Sequence, residues 1–426
     1  MNESFLHYIW QFQYFRKDDL KASEGEALQI FQPGMLNSNA GPDFEEAKIK
    51  IGKLEWRGSI EIHIKASGWN DHHHSDDQAY ENVVLHVVWE NDKPIKRTDG
   101  SFMPTLELKN RVDLTLWNRY KKLFTSAESI PCANSWSKIP DITKLSMLDK
   151  TVVQRLESKG EVVKIILTRN NNDWEETFYQ LLCKNFGFKV NAEPMFQLAQ
   201  AMPFKILLKH LDKPIQVEAL LFGQAGFLER AKEDEYLSVL IREYNLLRKK
   251  YGLDAKQMNA VRWRFMRLRP ANFPTVRLAQ LASLLQTQKN LFSKILEGIS
   301  IKDLTELLGV DQSEYWQHHY QPGKKSKTIV PALGKSSIQN VIINTITPVL
   351  TAYGQLHDDQ RYIERAADIL QHIPAENNRI VREWSALGYK VTSAFDSQGL
   401  IELYNNFCVK RRCLECTVGS SIIKTK

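Results

Sequence analysis

The stretch SNAGPDFEEAKIKIGKLEWRGSIEIHIKASGW, residues 38–69, decides how the N-terminal part of the chain is read. Two runs, AKIKI and GSIEIHI, alternate apolar and polar residues with period two, the pattern of strands, and their closeness in sequence predicts a hairpin. On the second run Glu61, His63 and Lys65 share one face, while Ile60, Ile62 and Ile64 face a core. Any half-exposed strand shows such a polar triad. Asp43 adds to it: it follows Gly41 and Pro42 and opens the first strand, so the hairpin carries its carboxylate towards that of Glu61. Two convergent carboxylates are hard oxygen ligands suited to Mg²⁺ or Mn²⁺. A lysine or histidine beside them can orient or deprotonate an attacking water.

Outward from the hairpin, residues 1 to about 20 predict a helix with Phe5, Ile9, Trp10 and Phe12 on its apolar face. The segments ALQIF, NVVLHVVWE and TLELK complete a set of five strand-like runs. From Val112 onward apolar residues recur at spacings of three and four, as in TKLSMLDKTVVQRLESKGEVVKIIL, WEETFYQLLCKNFGF and SIQNVIINTITPVLTAYG, and ENNRIVREW begins another such segment. The class is therefore α+β: a mixed sheet domain over residues 1–130 and a larger, mostly α-helical domain over 131–426 that ends in a cysteine cluster.

Composition agrees with a folded globular protein. Of the 426 residues, 43% are hydrophobic and 25% charged, which excludes a long disordered tail. The absence of any run of about 18 apolar residues argues against a membrane span. The N-terminus lacks the basic and small-residue features of a signal peptide, so the expected location is the cytoplasm. Oligomeric state and protein partners leave no mark in the sequence.

The order of these features resembles the PD-(D/E)XK nuclease superfamily. Pro42-Asp43 matches its first element and Glu61 its second acid, whereas His63 stands where that family has lysine, and Lys65 lies two residues on. The resemblance implies Asp43 and Glu61 as metal ligands, His63 or Lys65 in the lysine's role, and metal-dependent cleavage of nucleic acid. Over its whole length, through FLHYIWQF, NSNAGPDF, IEIHIKASGW, ENVVLHVVWEND, EALLFGQAGFL, RLRPANFPTVRLAQLA and CLEC, the chain also resembles a bacterial family frequent in Bacteroidetes, domain-of-unknown-function family 2851. That second resemblance implies no activity.

Three further groups stand out. His72, His73 and His74 precede Asp76 and Asp77, with His86 on a later strand. They read as a solvated loop, as a separate transition-metal site, or, for His72, His74 and His86, as auxiliaries to the Asp43 site. Cys408, Cys413 and Cys416 crowd the C-terminal end, and Cys132 is the best fourth partner for a zinc or iron–sulfur site, because Cys183 lies in an apolar helical run. Some nucleases of the same superfamily are similar in holding an iron–sulfur cluster through one distant and three grouped cysteines. Free thiols and a Cys-x-x-Cys redox pair compete with a metal site here.

Lastly, nine basic and two acidic residues lie between Arg242 and Pro270, an excess of seven that equals the net charge of +7. Arg262, Arg264, Arg267 and Arg269, interleaved with Trp263 and Phe265, suit a nucleic-acid surface, or equally a helix whose aromatics pack inward. The leading expectation is nucleic-acid phosphodiester hydrolysis. A non-catalytic nucleic-acid-binding protein on the same fold and a protein-interaction scaffold are the alternatives.

Overall fold

The computed structural model describes residues 1–229 and 234–425. Helix α1 (Glu3–Gln11) opens the chain, followed by strands β1 (Leu28–Gln32), β2 (Met35–Leu36), β3 (Phe44–Ile51), β4 (Leu54–Lys65), β5 (Val83–Glu90) and β6 (Thr105–Glu107). The five strand-like runs of the sequence are thus β1, β3, β4, β5 and β6. Their order in the sheet is β1-β3-β4-β5-β6, with β2 paired to β3. β1, β3 and β4 run antiparallel, while β4–β5 and β5–β6 are parallel. The sheet is therefore mixed.

The β3–β4 register contains the feature that matters most. From the turn, where Gly52 takes a left-handed φ of +57°, the strands pair regularly as far as Ala47 opposite Gly58. There the register slips by one, so that Phe44 lies opposite Ile60. Glu46, left-handed at φ +57°, is the inserted residue of this β-bulge. Because side chains alternate faces with every residue, the slip decides which face meets which. It sets Asp43 opposite Glu61, where an unbroken ladder would have set it opposite Ile62.

Helix α1 is capped by Asn2, whose Oδ1 accepts the Phe5 N–H at 3.1 Å. Phe5, Leu6, Tyr8, Ile9 and Trp10 are buried, and the helix packs on β4. It ends far short of residue 20. Gln13 turns left-handed at φ +55°, and Phe12, expected on the buried face, is 44% exposed. β4 itself is buried on both faces from Gly58 to His63, so Glu61 and His63 are not the outer side of a half-exposed strand.

The chain divides into two compact units, Met1–Met147 with Leu403–Lys426, and Leu148–Glu402. The expected boundary near residue 130 thus lies inside the first unit. The C-terminal cysteines, expected with the helical domain, belong to the sheet unit, because helix Thr417–Lys424 packs on α3 (Leu114–Phe124) and the Tyr8 and Ser420 hydroxyls lie 2.9 Å apart.

Among its described residues the second unit is helical except for a small hairpin, His319–Gln321 with Lys324–Lys325. Its core includes Phe222 stacked on Trp316 at 4.4 Å. The expected helices at 174–186, 335–356 and 379–386 are present, the second passing through a π-turn at Ile342–Ile346 ahead of Pro348. The basic segment is not a continuous helix. Helix Glu235–Tyr251 ends on left-handed Gly252, and beyond it lie only short 3₁₀ turns. The Asn191 side chain holds the Arg264 backbone through both its N–H and its C=O, at 2.9 Å each, and the Trp263 indole donates to Ala225 O at 2.9 Å. These tertiary bonds override helical propensity and leave Arg262, Arg264, Arg267 and Arg269 exposed around a buried Trp263.

Among the described residues no helix is long and apolar enough to cross a membrane.

Candidate metal centre

Asp43 and Glu61 meet as the register requires. The Asp43 N–H donates to Glu61 Oε2 at 3.1 Å, and Asp43 Oδ2 accepts the Ile62 N–H at 2.9 Å. On the other side of Glu61, parallel pairing sets His86 of β5 opposite it. His63 lies two residues along β4, and its Nδ1 is 2.9 Å from His86 Nε2.

The histidine loop closes over this face. A single helical turn, α2 (Gly68–Asp71), packs on β4, and Gly68 allows the approach: a Cβ there would lie 3.0 Å from His63 Cδ2. His73 then adopts a left-handed φ of +58° and points to solvent, His74 after it is buried, and His72 before it stays exposed with its ring against His63. His72 Nδ1 comes within 3.1 Å of His63 Nε2, and His74 Nε2 within 3.3 Å of Glu61 Oε1, which is itself 3.7 Å from His63 Nε2. The ligand nitrogens of His63, His72 and His74 all lie within 4.8 Å of one another. A tetrahedron with metal–ligand bonds of about 2.0–2.1 Å has edges of about 3.4 Å, the spacing these atoms approach.

Burial dominates the electrostatics. The Glu61 carboxyl is pushed up to about 8, first by desolvation and then by the charge of Asp43. Desolvation and neighbouring imidazoles push His63 down to about 4 and His86 down to about 3, and lower His74 as well. Neutral imidazoles and a carboxyl lacking a cationic partner are the state a cation would complete. His74 Nε2 is buried with no aligned hydrogen bond, although Glu61 is near. For His63 to offer Nε2, its proton must sit on Nδ1 and be donated to His86, the outer-shell arrangement that orients metal-binding histidines. Three imidazoles and one carboxylate suit Zn²⁺ or Fe²⁺ better than the Mg²⁺ expected from two carboxylates.

A match to a family model spans residues 3–379, and the family is described as a protein of unknown function, DUF2851. The chain belongs to that family. No curated protein and no solved structure matches this DUF2851 member.

Of the site residues expected from the sequence of this DUF2851 protein, Asp43, Glu61, His63, His72, His74 and His86 come together. Lys65 does not join them. It is exposed near the end of β4 with Glu90 as its register partner, and its charge acts on Asp92. His7 on α1 was not foreseen; its Nε2 lies 3.2 Å from Asp43 Oδ2. Glu3, one helical turn earlier, adds to the field on Glu61. The available signal was the spacing of Glu3 and His7, polar residues four apart on a helix whose apolar residues are all buried. Tyr80, also unforeseen, stacks on His74 at 3.8 Å between ring centroids. Beside His74 opens a cleft of about 330 Å³, lined by Trp69, Asp77, Tyr80, Arg97 and Met103 among others.

Proposed function

We propose that this protein is a metal-dependent hydrolase of nucleic-acid phosphodiesters whose metal is held by Glu61, His63, His72 and His74. The observation that carries the proposal is the convergence of the His63, His72 and His74 ligand nitrogens, two of which, on His63 and His74, also approach the buried Glu61 carboxylate. A divalent ion bound there supplies Lewis acidity and a water of lowered pKa. Asp43, fixed by the Ile62 N–H and touching His7, would serve as the base for an attacking water. Its side chain is 23% exposed, so water reaches it. Arg97, in the cleft beside His74, offers a guanidinium to an anionic phosphate. The exposed arginines at positions 262, 264, 267 and 269 on the second unit support a polyanionic substrate.

The test is cleavage of single-stranded and duplex DNA and RNA by the full chain with Zn²⁺, Mn²⁺ or Mg²⁺. We expect metal-dependent cleavage that Glu61→Gln and His74→Ala each reduce by more than about 100-fold, while salt-sensitive binding persists. Binding without cleavage under every metal would favour the non-catalytic reading, to which the distance of Lys65 from the site already lends weight. Cleavage retained in both variants would remove the site assignment.

A further inference from the structure

We propose that Cys132, Cys408, Cys413 and Cys416 form a second metal centre, a four-thiolate site for an iron–sulfur cluster that fastens the C-terminal segment to the sheet unit. All four cysteines lie in that unit, all are 6% to 8% exposed, and none is in a disulfide. Cysteine thiolates are the ligands of iron–sulfur clusters, and four of them hold one; among the described residues no three of these thiols lie within 4.8 Å of one another, as a single zinc ion would require.

Two regions far apart in sequence are drawn together by specific bonds. Cys132 stands at the head of a 3₁₀ helix, Ala133–Lys138. Cys408 ends a π-helical turn, Tyr404–Cys408, after which Arg411 reverses the chain in a left-handed conformation, φ +54°. The Arg411 guanidinium donates to Ser126 O at 2.8 Å, Glu128 O at 3.1 Å and Cys408 O at 3.3 Å, so it joins the cysteine turn to the segment leading into Cys132. Cys416 is the residue before helix Thr417–Lys424. Gly419 within that helix lies so close to the Cys413 carbonyl that an added Cβ would be 2.2 Å from it, which folds the Cys413–Cys416 loop onto the first helical turn.

The thiols also sense one another. Burial raises Cys132 and Cys413 to about 12 and Cys408 further, and in each case neighbouring thiols of the same group add to the rise. A redox role for Cys413 and Cys416 fits poorly, because both are buried and reactive thiols occupy partly exposed sites.

The experiment uses the full chain, purified anaerobically without a polyhistidine tag and assayed for metals, acid-labile sulfide and visible absorbance. Iron with matching acid-labile sulfide and an iron–sulfur chromophore is expected. That metal should survive in a His63→Ala, His74→Ala double variant and in Cys183→Ala, and disappear in Cys413→Ser, Cys416→Ser. If the last variant does not fold, titration of the wild type with a mercurial should release the metal as about four thiols react. Wild-type protein with no metal surviving the histidine substitutions, or metal unmoved by thiol blockade, would overturn the proposal. Because the histidine and cysteine variants are read separately, this centre and the proposed hydrolytic site stand or fall independently.

Discussion

A cation at the Glu61 site should expel a proton on binding, and the structure sets how many. In the metal-free protein the Glu61 carboxyl is pushed up to about 8, so at pH 7 it is about nine-tenths protonated. Burial holds the His63 and His86 rings far below neutrality, and they carry no proton to lose. Binding Zn²⁺ to chelator-stripped protein at pH 7 should therefore release about 0.9 proton, and apparent affinity should rise about fivefold from pH 7 to pH 8 before levelling off. Titration calorimetry at pH 7 in two buffers of different ionisation enthalpy counts the proton directly. Glu61→Gln should bind more weakly and release close to none. Because Glu61 and Asp43 interact, the release belongs to the pair, and Asp43→Asn should lower the pH at which affinity levels off. Tight binding with no proton release in the wild type, or equal release in Glu61→Gln, would show that the carboxylate is not a ligand.

Two further outcomes follow from the packing. Gly68→Ala places a methyl group 3.0 Å from His63 Cδ2, so it should displace the ring by a few tenths of an ångström and weaken Zn²⁺ about tenfold, with about 1–2 kcal/mol lost in thermal denaturation; unchanged metal affinity would mean that His63 does not need that position. In the second unit, Lys159 is half-buried, 2.8 Å from Asn344 Oδ1 and 3.2 Å from Gln398 Oε1, and desolvation followed by the nearby charge of Arg155 brings it down to about 7. The unfolded chain binds that proton up to about pH 10 and the native chain does not, so stability should rise from pH 7 to pH 10. Lys159→Met should flatten this rise in the thermal midpoint, and a slope kept by the variant would place its source elsewhere.

Some of this architecture is legible without coordinates, for reasons that are local. Alternation over AKIKI and GSIEIHI marks β3 and β4, because a strand with a buried face must repeat every two residues. Pro42-Asp43 marks the strand entry, and three-to-four spacing marks the long helices of the second unit. Local rules also mislead where distant bonds prevail. Asn191 and Ala225 hold the Arg262–Arg269 segment out of a helix, and nothing within that segment announces them.

By itself, then, the sequence determined the mixed sheet followed by helices and the residue types, Asp43 and Glu61 among them, from which any metal site would be drawn. Only the tertiary structure decided which of them meet. The bulge at Glu46 shifts the register by one and so turns Asp43 to the face of Glu61. The left-handed turn at His73 sends His74 into the interior and leaves His72 against His63, and α1 brings His7 to the carboxylates. The C-terminal cysteines return to Cys132 across more than 270 residues through bonds that Arg411 makes. Each of these depends on contacts between residues remote in sequence, which no local periodicity encodes.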